Sequence, residues 1–255
     1  MLSAIITRLR AAGCVFAEDE AKLLITAART PADLDALVEQ RTGGLPLEHV
    51  LGWAEFCGRR VAVDPGVFVP RRRTGFLARC AGELARPGDT VVDLCCGSGA
   101  VGATLTGVDL YAVDIDPAAV RCARRNLPSG HVYEGDLYDP LPAGLHADVL
   151  VANAPYVPTD AIELMPPEAR IHEPRVALDG GADGLDVLRR VIAGAPARLA
   201  PAGHLLVETS EVQAPVLVEA VVLAGLTPRL AGDEELGATV VIATNGPDPG
   251  RPPAR

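Results

Sequence analysis

Short apolar runs alternate with helical patterns along this chain from Arg79 to about Thr244. Parallel strands need crossover connections long enough to hold a helix, so this alternation predicts a mostly parallel sheet covered by helices on both sides. Open sheets of this kind bind their ligands at the carboxyl ends of the strands. The predicted fold class is therefore α/β, and the residues that follow each strand are candidates for a site.

One apolar run, Ala147–Ala152, is followed directly by Asn153, Ala154, Pro155 and Tyr156. Such a turn suits an enzyme that moves a methyl group onto a planar nitrogen, because the lone pair of that nitrogen is delocalised and its N–H₂ group must be held and aimed. The carbonyl groups of Asn153 and Ala154 are suitable acceptors, and the ring of Tyr156 offers a flat face. An ordinary strand-to-loop turn is the alternative interpretation, since Asn and Pro are common there.

Residues 91–100 combine a short apolar strand, a loop of small residues and the expected start of a helix. Such a loop lets the backbone approach a bound cofactor closely. Asp114 follows Asp93 by 21 residues, a spacing that suits an acid reaching the hydroxyl groups of a ribose. The glycines of this segment also spell G-x-G-x-x-G, but about ninety residues precede them, whereas a dinucleotide-binding strand usually opens its domain. S-adenosylmethionine fits better, because it has a ribose and an adenine but no phosphate.

Several segments resemble the HemK/PrmC family of protein-glutamine methyltransferases, and the likeness runs from about Leu45 to Asn245. Residues 153–156 differ by one residue from the Asn-Pro-Pro-Tyr turn of that family. The other similar segments are residues 45–56, residues 69–71 with Thr74, and residues 173–185, which read Glu-Pro-Arg-Val-Ala-Leu-Asp-Gly-Gly-Ala-Asp-Gly-Leu. The resemblance implies methyl transfer from S-adenosylmethionine to the side-chain amide of a glutamine in a protein. The expected partner is a protein that presents a glutamine loop, either a peptide chain release factor with its Gly-Gly-Gln loop or, for a paralogue of that enzyme, another protein.

The resemblance also implies the architecture. We expect a class I (Rossmann-like) methyltransferase sheet with a closing antiparallel hairpin, preceded by a small helical N-terminal domain and a connecting β-hairpin. The predicted segments are 1–52 as a helical substrate-recognition region, 53–70 as a β-hairpin linker, 71–245 as the methyltransferase domain and 246–255 as a disordered tail rich in Pro. Val61–Val63 and Val67–Val69 are predicted as two short strands around an Asp-Pro-Gly turn, and Thr30 is predicted as a helix cap.

The positions of residues at the strand ends, together with the same resemblance, predict the site residues. Asp114 is expected to hold the ribose, Asp136 to accept from the amino group of adenine, and Asp93 to brace the loop. The predicted catalytic residues are Asn153, Ala154, Pro155 and Tyr156. The predicted cofactor-binding residues are Asp93, Cys95, Gly97, Gly99, Asp114, Ile115, Asp136, Leu137 and Asn153, with no metal ligand. Three positions depart from the family pattern, since Ala154 replaces a proline, Cys95 a glycine and Gly75 an acid.

The charge composition bears on which other functions the chain could have. A formal net charge of −10 argues against a nonspecific grip on nucleic acid, which relies on clustered Lys and Arg. The sharpest basic run, Arg71–Arg73, is either a solvated turn or a docking surface for substrate. Two other functions stay open, namely a nucleic-acid amine methyltransferase, which would share the turn at Asn153, and a cofactor-binding protein without catalytic activity.

The six cysteines show neither a disulfide framework nor a C-x-x-C spacing, which indicates reduced thiols and a cytoplasmic location. The five histidines are scattered without the spacing of metal ligands. The longest apolar runs are broken by charge or glycine, and the N-terminus lacks the basic start of a signal peptide, so we expect no contact with a membrane.

Overall fold

The computed structural model describes residues 1–246, so the predicted tail lies, apart from Gly246, outside the described residues. Four helices form the N-terminal region, and their mutual core includes Leu9, Leu24 and Val38. The predicted cap is confirmed, because Thr30 Oγ1 accepts from the backbone N–H of Asp33, whose carboxylate accepts from the N–H of Thr30. These helices are α1 (Leu2–Ala11), α2 (Ala17–Ala27), α3 (Pro31–Thr42) and α4 (Leu47–Leu51).

A β-hairpin follows the four helices, but its strands differ from the predicted ones. It consists of β1 (Trp53–Phe56) and β2 (Arg59–Ala62). The prediction of a strand over Val67–Val69 is wrong, because side chains and a local turn satisfy this backbone instead of a strand partner. The N–H of Val67 donates to the Asp64 carbonyl, its carbonyl accepts from His49, and the N–H of Val69 donates to Glu173.

The central sheet has seven strands in the order β5-β4-β3-β6-β7-β9-β8. Strands β3 to β7 pair in parallel, whereas β9 pairs antiparallel with both β7 and β8, so the sheet closes with the expected antiparallel hairpin. The strands are β3 (Thr90–Leu94), β4 (Asp109–Asp114), β5 (His131–Glu134), β6 (Ala147–Ala152), β7 (Leu199–Thr209), β8 (Thr227–Asp233) and β9 (Ala238–Thr244).

Helices cover both faces of this sheet. One face carries a core that includes Leu77 and Ala123, and the other carries a core that includes Leu188 and Leu217. The covering helices are α5 (Thr74–Leu84) and α6 (Pro117–Asn126) on the first face, and α8 (Asp186–Gly194) and α9 (Ala214–Leu223) on the second; the short helix α7 (Pro167–His172) lies in the connection between β6 and α8. Within residues 1–246, every helix is too short or too polar to cross a bilayer.

The helix predicted directly after the glycine loop is not formed. Residues 95–101 run through turns, and only a single 3₁₀ turn, Gly102–Thr104, precedes β4. Positive φ angles at Cys95, Gly97 and Gly99 explain this, because left-handed residues cannot continue a right-handed helix. The chain after β3 goes to β4 on one side, and the chain after β5 returns to β6 on the other. This reversal places a crevice at the carboxyl ends of β3 and β6.

Candidate active site

A cavity of about 230 Å³ lies at this crevice. Each of the strands β3, β4, β5 and β6 contributes residues that come immediately after its carboxyl end. The predicted site residues that the structure brings together in the cavity wall are Cys95, Gly97, Asp114, Ile115, Asp136, Leu137, Asn153 and Pro155. The topology of the sheet therefore gathers residues that are up to 60 positions apart in the sequence.

Asp114 ends β4 and faces the loop that follows β3. Its Oδ2 accepts from the backbone N–H of Gly97 at 2.8 Å, and its Oδ1 accepts from the N–H of Asp116 at 2.9 Å. Burial raises the pKa of the Asp114 carboxyl, and these two N–H groups oppose the rise. The carboxylate thus links two strand ends while it lines the cavity.

The far wall combines one charge pair with apolar side chains. Asp136 Oδ2 accepts from the guanidinium of Arg190 at 2.6 Å, and both residues line the cavity. Leu137 is buried and adopts a positive φ of 48°, which turns the chain sharply after β5. The apolar lining residues are Phe68, Ile115, Ala119, Leu137, Pro155, Pro174, Val176, Ala177 and Val187.

Cys95 occupies a backbone conformation that favours glycine, with a φ of +55°. Burial raises the pKa of its thiol strongly, and the carboxylates of Asp114, Asp93 and Asp136 raise it further. The side chain is therefore a neutral thiol in the cavity wall.

The turn at residues 153–156 is held by hydrogen bonds from two distant elements. Asn153 Nδ2 donates to Thr74 Oγ1 at 3.1 Å, and the hydroxyl of Tyr156 donates to Glu208 Oε1 at 3.1 Å. The guanidinium of Arg73 lies 5.7 Å from the ring centre of Tyr156, and its Nε donates to Glu208 Oε1 at 3.3 Å. Burial, and then the charge of Glu208, raise the pKa of the Tyr156 hydroxyl.

Four predicted site residues do not line this cavity. Asp93 is buried and accepts from the N–H of Gly102 at 3.1 Å, which is the bracing role expected of it. Gly99 is needed for packing, because a Cβ there would come within 2.8 Å of Leu127. Ala154 is buried in the turn itself, and Tyr156 faces a neighbouring groove of about 630 Å³ together with Arg73.

Sequence reasoning missed several residues that shape the site. Thr74 and Glu208 hold the turn at residues 153–156 from α5 and β7. The family resemblance included Thr74 but gave it no role, and no local motif marks Glu208. Arg71 of the basic run pairs with the buried carboxylate of Glu173, as Arg73 pairs with Glu208. Two of the three arginines in that run therefore neutralise buried acids beside the site.

The segment at residues 173–185 lies directly against the turn at residues 153–156. The N–H of Val157 donates to the Leu178 carbonyl at 3.0 Å, and the N–H of Gly180 donates to the Val157 carbonyl at 2.9 Å. Gln213 Nε2 donates to the carbonyls of Tyr156 and Asp183, both at 3.0 Å. Repeated glycines in the sequence were the available signal for such a close backbone approach.

The part of the chain that the structure describes contains no group of three or more His, Cys, Asp or Glu side chains placed to bind a metal ion. All six cysteines are free thiols.

Known proteins match this chain over most of its length. A release factor glutamine methyltransferase from Geobacter sulfurreducens is 38% identical over 180 residues, which are 68% of this chain and 63% of that relative. One from Streptomyces coelicolor is 36% identical over 197 residues, which are 71% of this chain and 70% of that relative. The chain belongs to the release factor glutamine methyltransferase family. The family resemblance predicted from the sequence is thereby confirmed, although the chain spans less than two thirds of the length of the Geobacter relative.

Two further comparisons concern the methyltransferase fold and not the family. Residues 78–168 match the sequence profile described as ribosomal protein L11 methyltransferase (PrmA). A methyltransferase structure from Pyrococcus furiosus superposes with a TM-score of 0.57 at 15% identity, covering 74% of this chain and 90% of that one. At that identity the likeness concerns the fold alone, and it confirms the predicted class I methyltransferase architecture.

Proposed function

We propose that this protein transfers a methyl group from S-adenosylmethionine to the side-chain amide nitrogen of a glutamine in the Gly-Gly-Gln loop of a peptide chain release factor. The placement of Asn153 carries the proposal. Asn153 lines the cavity while its Nδ2 donates to Thr74, which leaves the carbonyl oxygen Oδ1 to accept from a substrate amide. The names of the relatives support the same reaction and the same partner.

The residues of the cavity fit S-adenosylmethionine. Asp114 would accept from the ribose hydroxyls, Asp136 from the adenine amino group, and Ile115 and Leu137 would contact the faces of the adenine. Gly97 and Cys95 would lie beside the methionine part of the cofactor. Four aspartates line the cavity wall, and their carboxylates would repel phosphate groups, which favours this cofactor over a dinucleotide.

The turn at residues 153–156 would hold the substrate amide. Asn153 Oδ1 and the carbonyl of Ala154 would accept its two N–H hydrogens, and both Pro155 and the ring of Tyr156 would limit its movement. When bound, S-adenosylmethionine supplies the methyl group, and its sulfur keeps the electron pair of the broken bond. The glutamine nitrogen gains one bond to carbon and then loses one proton to water. A release factor acts in the cytoplasm, so the proposed reaction takes place there.

The direct test is peptide mass spectrometry of a purified release factor after incubation with the enzyme and S-adenosylmethionine. We expect one added methyl group on the Gly-Gly-Gln glutamine. Asn153→Ala should lower this turnover roughly 100-fold or more, the size expected when a group that holds the reacting atoms is removed. Calorimetry should show that the affinity for S-adenosylmethionine changes little.

The matched control is Asn245→Ala. Asn245 Nδ2 also donates to backbone carbonyls, those of Leu199 and Ala200, but at the amino end of β7 and away from the cavity. This variant should keep full turnover. Methylation of RNA or DNA in place of the release factor, or cofactor binding without methylation of any substrate, would contradict the proposal.

A further inference from the structure

A buried acidic side chain lies behind the catalytic turn without reaching the cavity. The side chain of Glu208, on β7, is 2% exposed, and its Oε1 accepts from both Tyr156 and Arg73. The Thr74 hydroxyl lies beside the same carboxyl group and lowers its pKa. Among residues 1–246 no fully formed hydrogen bond reaches Glu208 Oε2, so this oxygen is available to the proton of Thr74.

The Thr74 hydroxyl has one proton, and its direction decides how Asn153 is oriented. Asn153 Nδ2 donates to Thr74 Oγ1, so Thr74 must point its own proton elsewhere. An ionised carboxylate can only accept, so Glu208 would take that proton and keep a lone pair of Thr74 directed at Asn153. If Thr74 donated to Asn153 instead, the amide would turn and present its N–H₂ group to the substrate. Two N–H₂ groups would then face each other, and the substrate amide would lose its acceptor.

We propose that Glu208 is a positioning residue that, through Thr74 and Tyr156, sets the orientation of Asn153 and of the tyrosine ring for methyl transfer. This inference rests on the proposed function, since it assigns an amide acceptor role to Asn153. The charged or titratable groups that act on the Glu208 carboxyl are Arg73 and Tyr156. Burial raises the pKa of the Glu208 carboxyl, and the Thr74 hydroxyl and the positive charge of Arg73 oppose that rise and favour the ionised form.

Three substitutions separate this role from simple packing. Glu208→Gln keeps the shape of the side chain, but it introduces an amide donor among Tyr156, Arg73 and Thr74. In the proposed arrangement all three of these groups already donate hydrogen bonds to Glu208. Thr74→Val removes the hydroxyl at nearly constant volume. The control is Thr209→Val, because Thr209 is equally buried and adjacent to Glu208, yet its Oγ1 has no hydrogen-bond partner among the described residues.

The first measurement does not need a protein substrate. The side-chain N–H₂ signal of Asn153 is identified by NMR through its disappearance in Asn153→Ala, and its hydrogen exchange is followed with S-adenosylhomocysteine present. We expect roughly tenfold faster exchange in Glu208→Gln and in Thr74→Val, because in both variants Asn153 Nδ2 loses its acceptor on Thr74. Thr74→Val removes the hydroxyl, and Glu208→Gln turns the Thr74 proton toward Asn153. Thr209→Val should exchange like the unchanged protein.

The second measurement is turnover with the release factor. Glu208→Gln and Thr74→Val should lower kcat roughly 10- to 100-fold, while KM for S-adenosylmethionine stays within about twofold. Because burial raises the pKa of the Glu208 carboxyl, kcat should fall as the pH drops and this group becomes protonated, and Glu208→Gln should lose that part of the pH dependence.

The two measurements distinguish a failure of the proposed function from a failure of the positioning role. If the unchanged protein does not methylate the release factor, the proposed function is wrong, but the exchange of the Asn153 amide still tests the positioning role. Unchanged exchange in both Glu208→Gln and Thr74→Val would overturn the inference. An equal loss of kcat in Thr209→Val would also overturn the inference, because the loss in all three variants would then come from disturbed core packing.

Discussion

Asp93 shows how a single residue can brace a loop at a cost in stability. Its carboxyl group is buried at the end of β3 and receives one hydrogen bond, from the N–H of Gly102. Burial raises the pKa of Asp93 to about 7, the Gly102 N–H opposes the rise, and the charge of Asp114 adds to it. The folded protein therefore binds a proton here under conditions in which the unfolded chain has released it.

This pKa predicts how Asp93→Asn changes the dependence of stability on pH. The pKa in the folded state is higher than the value of about 3.9 in the unfolded chain, so Asp93 lowers the free energy of unfolding as the pH rises from about 4 to about 7. Asparagine keeps the acceptor for Gly102 but cannot ionise. We expect Asp93→Asn to be more stable than the original protein by up to about 4 kcal/mol near pH 8, and by much less near pH 4.5.

Urea unfolding at the two pH values measures this difference. Asp19→Asn is the control, because Asp19 is exposed on α2. This substitution should change the free energy of unfolding by a small and similar amount at both pH values. If Asp93→Asn were less stable than the original protein at both pH values, the prediction would be wrong. The Asp93 carboxylate of the original protein would then be ionised and stabilised by its hydrogen bond.

Residues that come directly after strands could be predicted from the sequence, and those that act across the fold could not. The carboxyl end of a parallel strand is a recurrent ligand site, so Asp114 and Asn153 were found from local patterns. The family resemblance added Asp136. Thr74 and Glu208 lie 79 and 52 residues from their partners in the catalytic turn. Their roles come from contacts that only the folded chain creates.

At the scale of elements, the loop at residues 180–184 fits closely against the proposed catalytic turn at residues 153–156. A Cβ on Gly180 would lie 2.7 Å from the carbonyl oxygen of Pro155, and one on Gly184 would lie 2.3 Å from that of Tyr156. These oxygens belong to backbone and cannot move aside like a side chain. The loop and the catalytic turn therefore fix each other's position.

Gly184→Ala should disturb the turn far more than its backbone angle alone predicts. Gly184 has a φ of +78°, and so does Gly144, where an added Cβ would meet nothing within 4 Å. Alanine at either position costs about 1 kcal/mol of backbone strain. Gly184→Ala should in addition displace Tyr156 and lower kcat roughly 100-fold, since small misplacements near a reacting group have effects of that size.

Turnover and thermal unfolding of the two glycine variants form the test. Gly144→Ala should show the stability loss without the loss of kcat. Equal kcat values in the two variants would mean that the loop does not position the catalytic turn.

The hairpin illustrates why some elements were not predictable. Val67 and Val69 carry the β-branched side chains and the alternation typical of a strand, yet their backbone groups are satisfied by His49 and Glu173. A periodic pattern reports which side chains are buried, but it does not report which partner meets the backbone. Val67 and Val69 are indeed buried, so the pattern was correct for burial and wrong for pairing.

At the scale of the whole molecule, one buried arginine joins the N-terminal helices to the connection between β6 and α8. Arg41, on α3, donates to Glu20 on α2 at 2.6 Å and to Glu168 on α7 at 2.6 Å. It also donates to the carbonyl of Leu45 at 2.9 Å. Helix α7 lies in the same connection as Glu173, which holds the backbone at Val69 beside the cavity. The predicted substrate-recognition region is thus tied to the wall of the candidate site.

Arg41→Ala should destabilise the protein strongly, whereas Glu168→Gln should have a small effect. The side chains of Arg41 and Glu20 are 6% and 10% exposed, while that of Glu168 is 48% exposed. Removing Arg41 leaves the charge of Glu20 buried without its partner, a change that costs about 3 to 5 kcal/mol, and loss of a half-exposed pair costs at most about 1 kcal/mol. Guanidinium unfolding monitored by circular dichroism measures both free energies. If the two variants lost the same stability, the energy would lie in the contact with α7 rather than in the buried pair with Glu20, and the N-terminal helices would depend on the catalytic part for their fold.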